Sequence, residues 1–130
     1  MLPILIVDDS PEDRSFAERA FRLNRIRNPI ILIGGGKRCL EYFKGEGEFE
    51  GRELPALVFI DLAMPEVSRW EVVETIRQRA PTIPVVLLTE LADSALLSRA
   101  RGCRVRVIVK PFRLQTLKAT LVEALYAQIG

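Results

Sequence analysis

Histidine is absent from this 130-residue chain, and cysteine occurs only at Cys39 and Cys103. The first absence removes the commonest metal ligand and the side chain that titrates near neutral pH. The second leaves no C-x-x-C pair or Cys/His cluster, so any metal must be bound through oxygen, and both cysteines read as small packing residues. A dominant sign of charge is missing as well. Lys and Arg total 19 against 17 for Asp and Glu, a net charge of +2 that gives no general argument for nucleic acid. No apolar run approaches the roughly 20 residues of a membrane span, and a strand-like segment follows Met1 directly in place of a basic n-region and h-region, so no membrane contact and a cytoplasmic location are expected.

What is present is a regular alternation. The chain has the size of one domain, expected to cover 1–130. Pro3-Ile4-Leu5-Ile6-Val7 is a compact apolar run that stops at Asp8 and Asp9, as a strand buried on both faces would. Ser10 as a cap, Pro11 in the first turn, and the acidic Glu12 and Asp13 then predict a helix over 11–23, with Phe16, Ala20 and Leu23 facing the sheet and Arg14, Glu18 and Arg22 facing water. Residues 29–33 read as the second strand. Gly34-Gly35-Gly36 after it lacks the Gly-Lys-Ser/Thr of a phosphate loop and the spaced glycines of a dinucleotide fold, and reads as a strand-to-helix turn. A short helix over 37–43 follows with Leu40 and Phe43 inward, then a polar, acidic surface loop over 44–54.

The third strand, Val58-Phe59-Ile60, delivers Asp61 to its end before Leu62-Ala63-Met64-Pro65 leaves the sheet. A helix over 66–79 carries Val72, Val73 and Ile76 on one side. Residues 85–88 make a fourth strand ending at Thr89. A fourth helix over 93–101 contains Ala95, Leu96, Leu97 and Ala100, with Gly102 as its C-cap. The fifth strand, 105–109, ends at Lys110-Pro111, and a last helix over 114–128 presents Leu114, Leu117, Leu121 and Leu125. Five βα units imply a doubly wound α/β fold, a five-stranded parallel sheet between two layers of helices, and among doubly wound sheets we choose the order 2-1-3-4-5. In that order Asp8, Asp9, Asp61, Thr89 and Lys110 converge on one crevice at the carboxyl ends of the strands.

Clustered carboxylates repel one another unless a cation offsets them, and an oxygen-only donor set points to Mg²⁺. A carboxylate beside Mg²⁺, a lysine and a hydroxyl is suited to phosphoryl transfer, with an aspartyl phosphate as product. Taken singly, each residue also has an ordinary reading as a cap, a turn or a surface lysine. Their joint placement at strand ends is what carries the chemistry. A phosphohydrolase is disfavoured because Ala63 stands where a D-x-D pattern would supply its second acid.

Ile4-Leu5-Ile6-Val7-Asp8-Asp9-Ser10, Asp61-Leu62-Ala63-Met64-Pro65, Thr89 and Lys110-Pro111-Phe112 together resemble the receiver domain of two-component response regulators, and the loop length over 44–54 resembles the small, flavodoxin-like receivers associated with phytochrome kinases. That resemblance implies that Asp61 is the phosphoacceptor from a sensor histidine kinase or phosphotransfer protein. It implies that Asp8, Asp9, Asp61 and the backbone carbonyl of Ala63 hold Mg²⁺, and that Thr89 and Lys110 bind the phosphoryl group. The domain would not be an enzyme with its own substrate, and its output would be a protein contact or a homodimer through the fourth helix, fifth strand and fifth helix. The alternative is a degenerate receiver that binds partners without phosphorylation.

Four departures from the family pattern carry expectations. Arg69 replaces a glycine, so the loop after Asp61 is expected to be re-routed. Glu90 replaces a small residue after Thr89 and is expected to slow phosphorylation. Val107 stands where an aromatic rotamer switch is usual, and a β-branched side chain has little freedom for that role. One extra residue between Gly102 and Lys110 predicts a bulge at the entrance to the fifth strand.

Overall fold

The computed structural model describes residues 2–8, 10–23, 25–61 and 69–109. Within these, β1 (Ile4–Val7), β2 (Ile30–Ile33), β3 (Leu57–Asp61), β4 (Val85–Thr89) and β5 (Arg106–Val109) form one sheet in the order β2-β1-β3-β4-β5. Every pairing is parallel. The connecting helices are α1 (Pro11–Leu23), α2 (Gly36–Lys44), α3 (described over Arg69–Arg79) and α4 (Ser94–Gly102). The expected last helix, and the expected start of the third, lie outside the described residues.

Strand alternation divides the core in two, because successive side chains point to opposite faces. Ile4, Ile6, Leu57, Phe59, Val86, Leu88 and Ile108 pack with Ala17, Ala20 and Phe21 of α1 on one face. Leu5, Val7, Val58, Ile60, Val85 and Leu87 pack on the other with the buried sides of α2, α3 and α4. The α1 face is set by Ala17, Ala20 and Phe21, with Phe21 edge-on to Phe59 at 5.1 Å between ring centroids. Leu23, expected to face the sheet, is 71% exposed. Residues 17, 20 and 21 follow the 3–4 step of a helix stripe, and Leu23 falls off that line near the helix end. The Phe16 and Arg14 side chains lie outside the description. On α3 the expected Val72, Val73 and Ile76 are all buried. On α4 Ala100 is buried and Leu96 half-buried, whereas Ala95 and Leu97 are exposed.

The loop over 44–54 is more organised than its polar composition suggests. Gly47–Phe49 forms one 3₁₀ turn that buries Phe49 against Tyr42 of α2. The Tyr42 hydroxyl donates to the Glu53 carbonyl at 2.7 Å, and Arg38 lies over the Phe49 ring while pairing with Glu48.

The three described helix exits with paired backbone bonds use one device. After α2, Gly45 takes a left-handed conformation, and the N–H groups of Gly45 and Glu46 donate back to Tyr42 and Glu41. After α1 and α4 the same 5→2 and 6→1 bonds are made by Arg25–Ile26 and by Arg104–Val105, with arginine in the left-handed position at φ 61 and 59. This corrects the expected role of Gly102, which is the last residue of α4 and not its left-handed cap. It also corrects the expected bulge. The β4–β5 ladder runs without interruption from Val86–Arg106 to Thr89–Val109, and the chain leaves α4 through Cys103–Arg104.

Candidate functional site at the carboxyl edge of the sheet

Register places the site. Val7 pairs with Ile60, so the next residues along, Asp8 and Asp61, stand side by side on adjacent strands, about 4.8 Å apart in backbone spacing. Asp61 pairs in turn with Leu88, and Thr89 with Val109, so one line across the sheet carries Asp8, Asp61, and the β4 and β5 ends. By alternation Asp8 and Asp61 share the α1 face with Ile6 and Phe59, while Thr89 springs from the face of Leu87.

Asp8, Asp61 and Thr89 are the buried polar residues among those described, at 3%, 3% and 8% exposure. Burying polar side chains is costly unless they are hydrogen-bonded, so their placement needs an explanation that packing alone does not give. Part of it is local. The Asp8 backbone N–H extends the β1–β2 ladder to the Ile33 carbonyl at 3.0 Å, and its Oδ1 accepts the Ser10 N–H at 2.8 Å, which turns the chain into α1. Thr89 closes a turn of its own: its hydroxyl donates to the Leu91 carbonyl at 3.1 Å and accepts the Leu91 N–H at 3.3 Å. Any ligand that takes the hydroxyl as donor must replace the bond to Leu91.

Asp9, Ala63 and Lys110, the remaining expected site residues, lie outside the described residues, although Lys110 follows Val109 directly in sequence. No group of three or more His, Cys, Asp or Glu that could hold a metal occurs among the described residues. What the described part supplies is a pair of buried carboxylates, the oxygen donors that a small hard cation takes. Of the departures, Glu90 is exposed beside Thr89, Arg69 is exposed at the first described residue of α3, and Val107 pairs with Leu87 and packs half-buried on the α3–α4 side of the core.

One feature of this edge escaped the sequence reading. Trp70 of α3 lies under the Arg99 guanidinium of α4, 4.6 Å from ring centroid to the guanidinium carbon, and Arg99 also faces Glu74 at 3.7 Å. The contact joins two helices 29 positions apart in sequence, so no local periodicity announces it.

The family model of the response regulator receiver domain matches residues 4–122. The chain belongs to that family. Receivers of two-component systems are typically phosphorylated on an aspartate, and they pair with histidine kinases or phosphotransfer proteins. The probable methanogenesis regulatory protein FilR2 of Methanothrix harundinacea is 34% identical over 92% of this chain and 79% of its own length. Rcp1, a response regulator of Synechocystis, is 31% identical over 66% of this chain and 60% of its own, and its Mn²⁺-bound structure superposes with a TM-score of 0.81 at 24% identity over 98% of this chain and 95% of that one. The bacteriophytochrome response regulator AtBRR superposes with a TM-score of 0.82 at 28% identity, covering 98% of this receiver and 94% of the solved chain. Larger transcriptional regulators are matched over about half their length. Among the described residues, no helix of this receiver is long and apolar enough to cross a membrane.

Proposed function

We propose that this receiver accepts a phosphoryl group on Asp61 from a histidine kinase or phosphotransfer protein, in an Mg²⁺-dependent relay in the cytoplasm, and reports it through protein–protein contact. The observation that carries the reading is the burial of Asp61 beside Asp8 at the carboxyl edge of the sheet. An Asp61 carboxylate oxygen attacks phosphorus, the new P–O bond forms as the P–N bond to the donor histidine breaks, and the nitrogen leaves with its electron pair. Asp8, Asp9, Asp61 and the Ala63 carbonyl are the oxygens assigned to the cation, whose role when bound is to offset charge on the phosphoryl group. The Mn²⁺-bound form of Rcp1 supports a divalent cation in this fold. Thr89 and Lys110 supply a hydroxyl and an ammonium to the phosphoryl oxygens, Thr89 exchanging its bond to Leu91 for one to the phosphate. The readout is assigned to the fourth helix, fifth strand and fifth helix, whose surface also serves a homodimer.

Trp70 reports on this state because its ring touches Arg99 of α4. Adding beryllofluoride or acetyl phosphate with Mg²⁺ is expected to change Trp70 fluorescence saturably, and Asp61→Asn to abolish the change. An intact protein that binds Mg²⁺ yet shows neither a fluorescence response nor a phosphorylated mass would overturn the proposal. It would favour a second reading, a binding module independent of phosphorylation, which draws on Val107: an aliphatic β-branched residue packed into the core offers no large rotamer swing. Glu90→Ala is expected to speed acetyl phosphate labelling by roughly 2- to 10-fold, since an exposed carboxylate beside Thr89 repels the incoming dianion.

A further inference from the structure

The exit of α1 is set apart by its charge. From Arg19 to Leu40 the sequence carries six basic residues and no acidic one, in a chain whose net charge is only +2. Three of the six, Arg22, Arg25 and Arg27, line a cavity of about 540 Å³ together with the half-buried Ile26. No carboxylate lines it among the described residues, and none of the three arginines pairs with one there, Glu18 one turn back on α1 included. Like charges gathered around one cavity repel, and a multiply charged anion relieves that repulsion.

The turn around this cavity uses up its own acceptors. The Arg25 and Ile26 N–H groups donate to the Arg22 and Phe21 carbonyls at 3.0 and 3.1 Å. One terminal nitrogen of Arg22 donates to the Ile26 carbonyl at 2.7 Å and to the Asn28 carbonyl at 3.0 Å. The Asn28 side chain donates in turn to the Leu2 carbonyl at 2.9 Å, which ties the loop to the start of the chain. Arg22 is thus a positioned cation whose Nε–H and second terminal nitrogen make no hydrogen bond among the described residues. Arg25 and Arg27 make no side-chain hydrogen bond or ion pair there at all. With the Phe21, Arg22, Ile26 and Asn28 carbonyls taken, the polar groups left to the cavity are guanidinium donors.

We propose that this cavity binds a condensed phosphate, a di- or triphosphate group, either free or as the tail of a nucleotide. Each guanidinium offers donors in a planar fork that matches two oxygens of a phosphate. A condensed phosphate offers acceptors only and carries several charges on a few atoms, so one such group engages all three arginines, whereas a carboxylate brings one charge at a time. The volume lies within the range of small-ligand pockets, about 300–1,000 Å³, so the group fits with or without a nucleoside. Because α1 starts beyond Asp8 and returns the chain to the entrance of β2, the cavity lies at the amino end of the sheet, and binding there is independent of Asp61.

Isothermal titration calorimetry of the whole chain with sodium tripolyphosphate, in EDTA and at constant ionic strength, tests this. Saturable binding is expected, weakened about tenfold by the double substitution Arg25→Gly with Arg27→Ala and unchanged by Asp61→Asn. Arg25 is left-handed at φ 61, a conformation that glycine adopts freely, so the double variant keeps its fold, and circular dichroism checks that it does. ATP in the same assay assigns the source. Affinity no tighter than that of tripolyphosphate supports recognition of the phosphate chain alone, and affinity about tenfold tighter supports a nucleotide. Absence of tripolyphosphate binding to the intact chain overturns the proposal, as does binding that the arginine substitutions leave unchanged. Equal binding of citrate, a tricarboxylate, also overturns it and leaves an unselective basic surface.

Discussion

The two ends of the sheet are built on opposite principles. At the carboxyl end, β1, β3 and β4 finish in Asp8, Asp61 and Thr89, polar groups that the fold buries. At the amino end, the first four strands are entered through Pro3, Pro29, Pro55 and Pro84. Proline fixes the backbone and gives up a donor that a strand entrance does not need. The carbonyls still work: Pro29 accepts from Ile4 at 2.8 Å, Pro3 from Ala56 at 2.8 Å and Pro84 from Val58 at 3.1 Å. The fifth strand has no such proline, and there Arg77 ties the α4 exit to the α3–β4 loop. One end buries polar side chains, and the other backs its prolines with paired carbonyls.

That contrast can be broken from either end. Arg77→Ala should have the largest effect on stability. It strands three carbonyls and is expected to lower the free energy of unfolding by about 2–3 kcal/mol in urea titrations, with the beryllofluoride response preserved in the folded fraction. If stability is unchanged, the amino end is not clamped as described. Asp61→Asn should act at the other end, abolishing the fluorescence response while circular dichroism shows the fold kept.

Alkaline pH probes the core between the two ends. Burial pushes the Cys39 thiol from its ordinary 9.0 up to about 12. The unfolded chain loses that proton first, so the native state binds more protons in this window and stability falls as pH rises from about 9 towards 12. About 1 kcal/mol should be lost one pH unit above the ordinary value, and Cys39→Ala should flatten that slope. Burial raises Tyr42 as well, so a residual decline is expected in the variant. The smallest effect should come from Arg104→Gly, which frees a left-handed position of its side chain and removes a like charge from Arg77. A gain of about 0.5–1 kcal/mol is expected in thermal melts, and the reverse change, Gly45→Arg, should cost a similar amount.

Much of this architecture could be read from the chain because it rests on local rules. Apolar runs ending at Asp8, Asp61 and Thr89, with helix starts between them, give the parallel sheet and its carboxyl edge, while the strand order was a choice among doubly wound sheets. The expected α1 span, 11–23, matches Pro11–Leu23, and the order 2-1-3-4-5 matches the observed sheet. What went unread depends on contacts between distant residues. Phe49 sits in a glycine- and glutamate-rich stretch and gives no periodic signal, yet Tyr42 buries it. Arg77 looks like any exposed basic residue in the last turn of a helix until Cys103 and Arg104 are brought beneath it. Gly102 misled because glycine is the usual left-handed cap, whereas the helix runs through Gly102 and the left-handed position falls at Arg104.

The way α4 is attached has a consequence for local stability. Ala100 is its one buried residue among those described, Leu96 adds a half-buried contact, Arg77 of α3 holds its exit, and along its length it meets α3 through Arg99 against Trp70 and Glu74. A helix with one buried side chain is expected to open at a free energy below that of the whole domain. Its amides should exchange with solvent sooner than those of α3, whose Val72, Val73 and Ile76 are fully buried, and salt should widen the gap. The element nearest the proposed readout is then a separately melting unit on a rigid sheet, adjustable by ionic conditions that leave the core untouched.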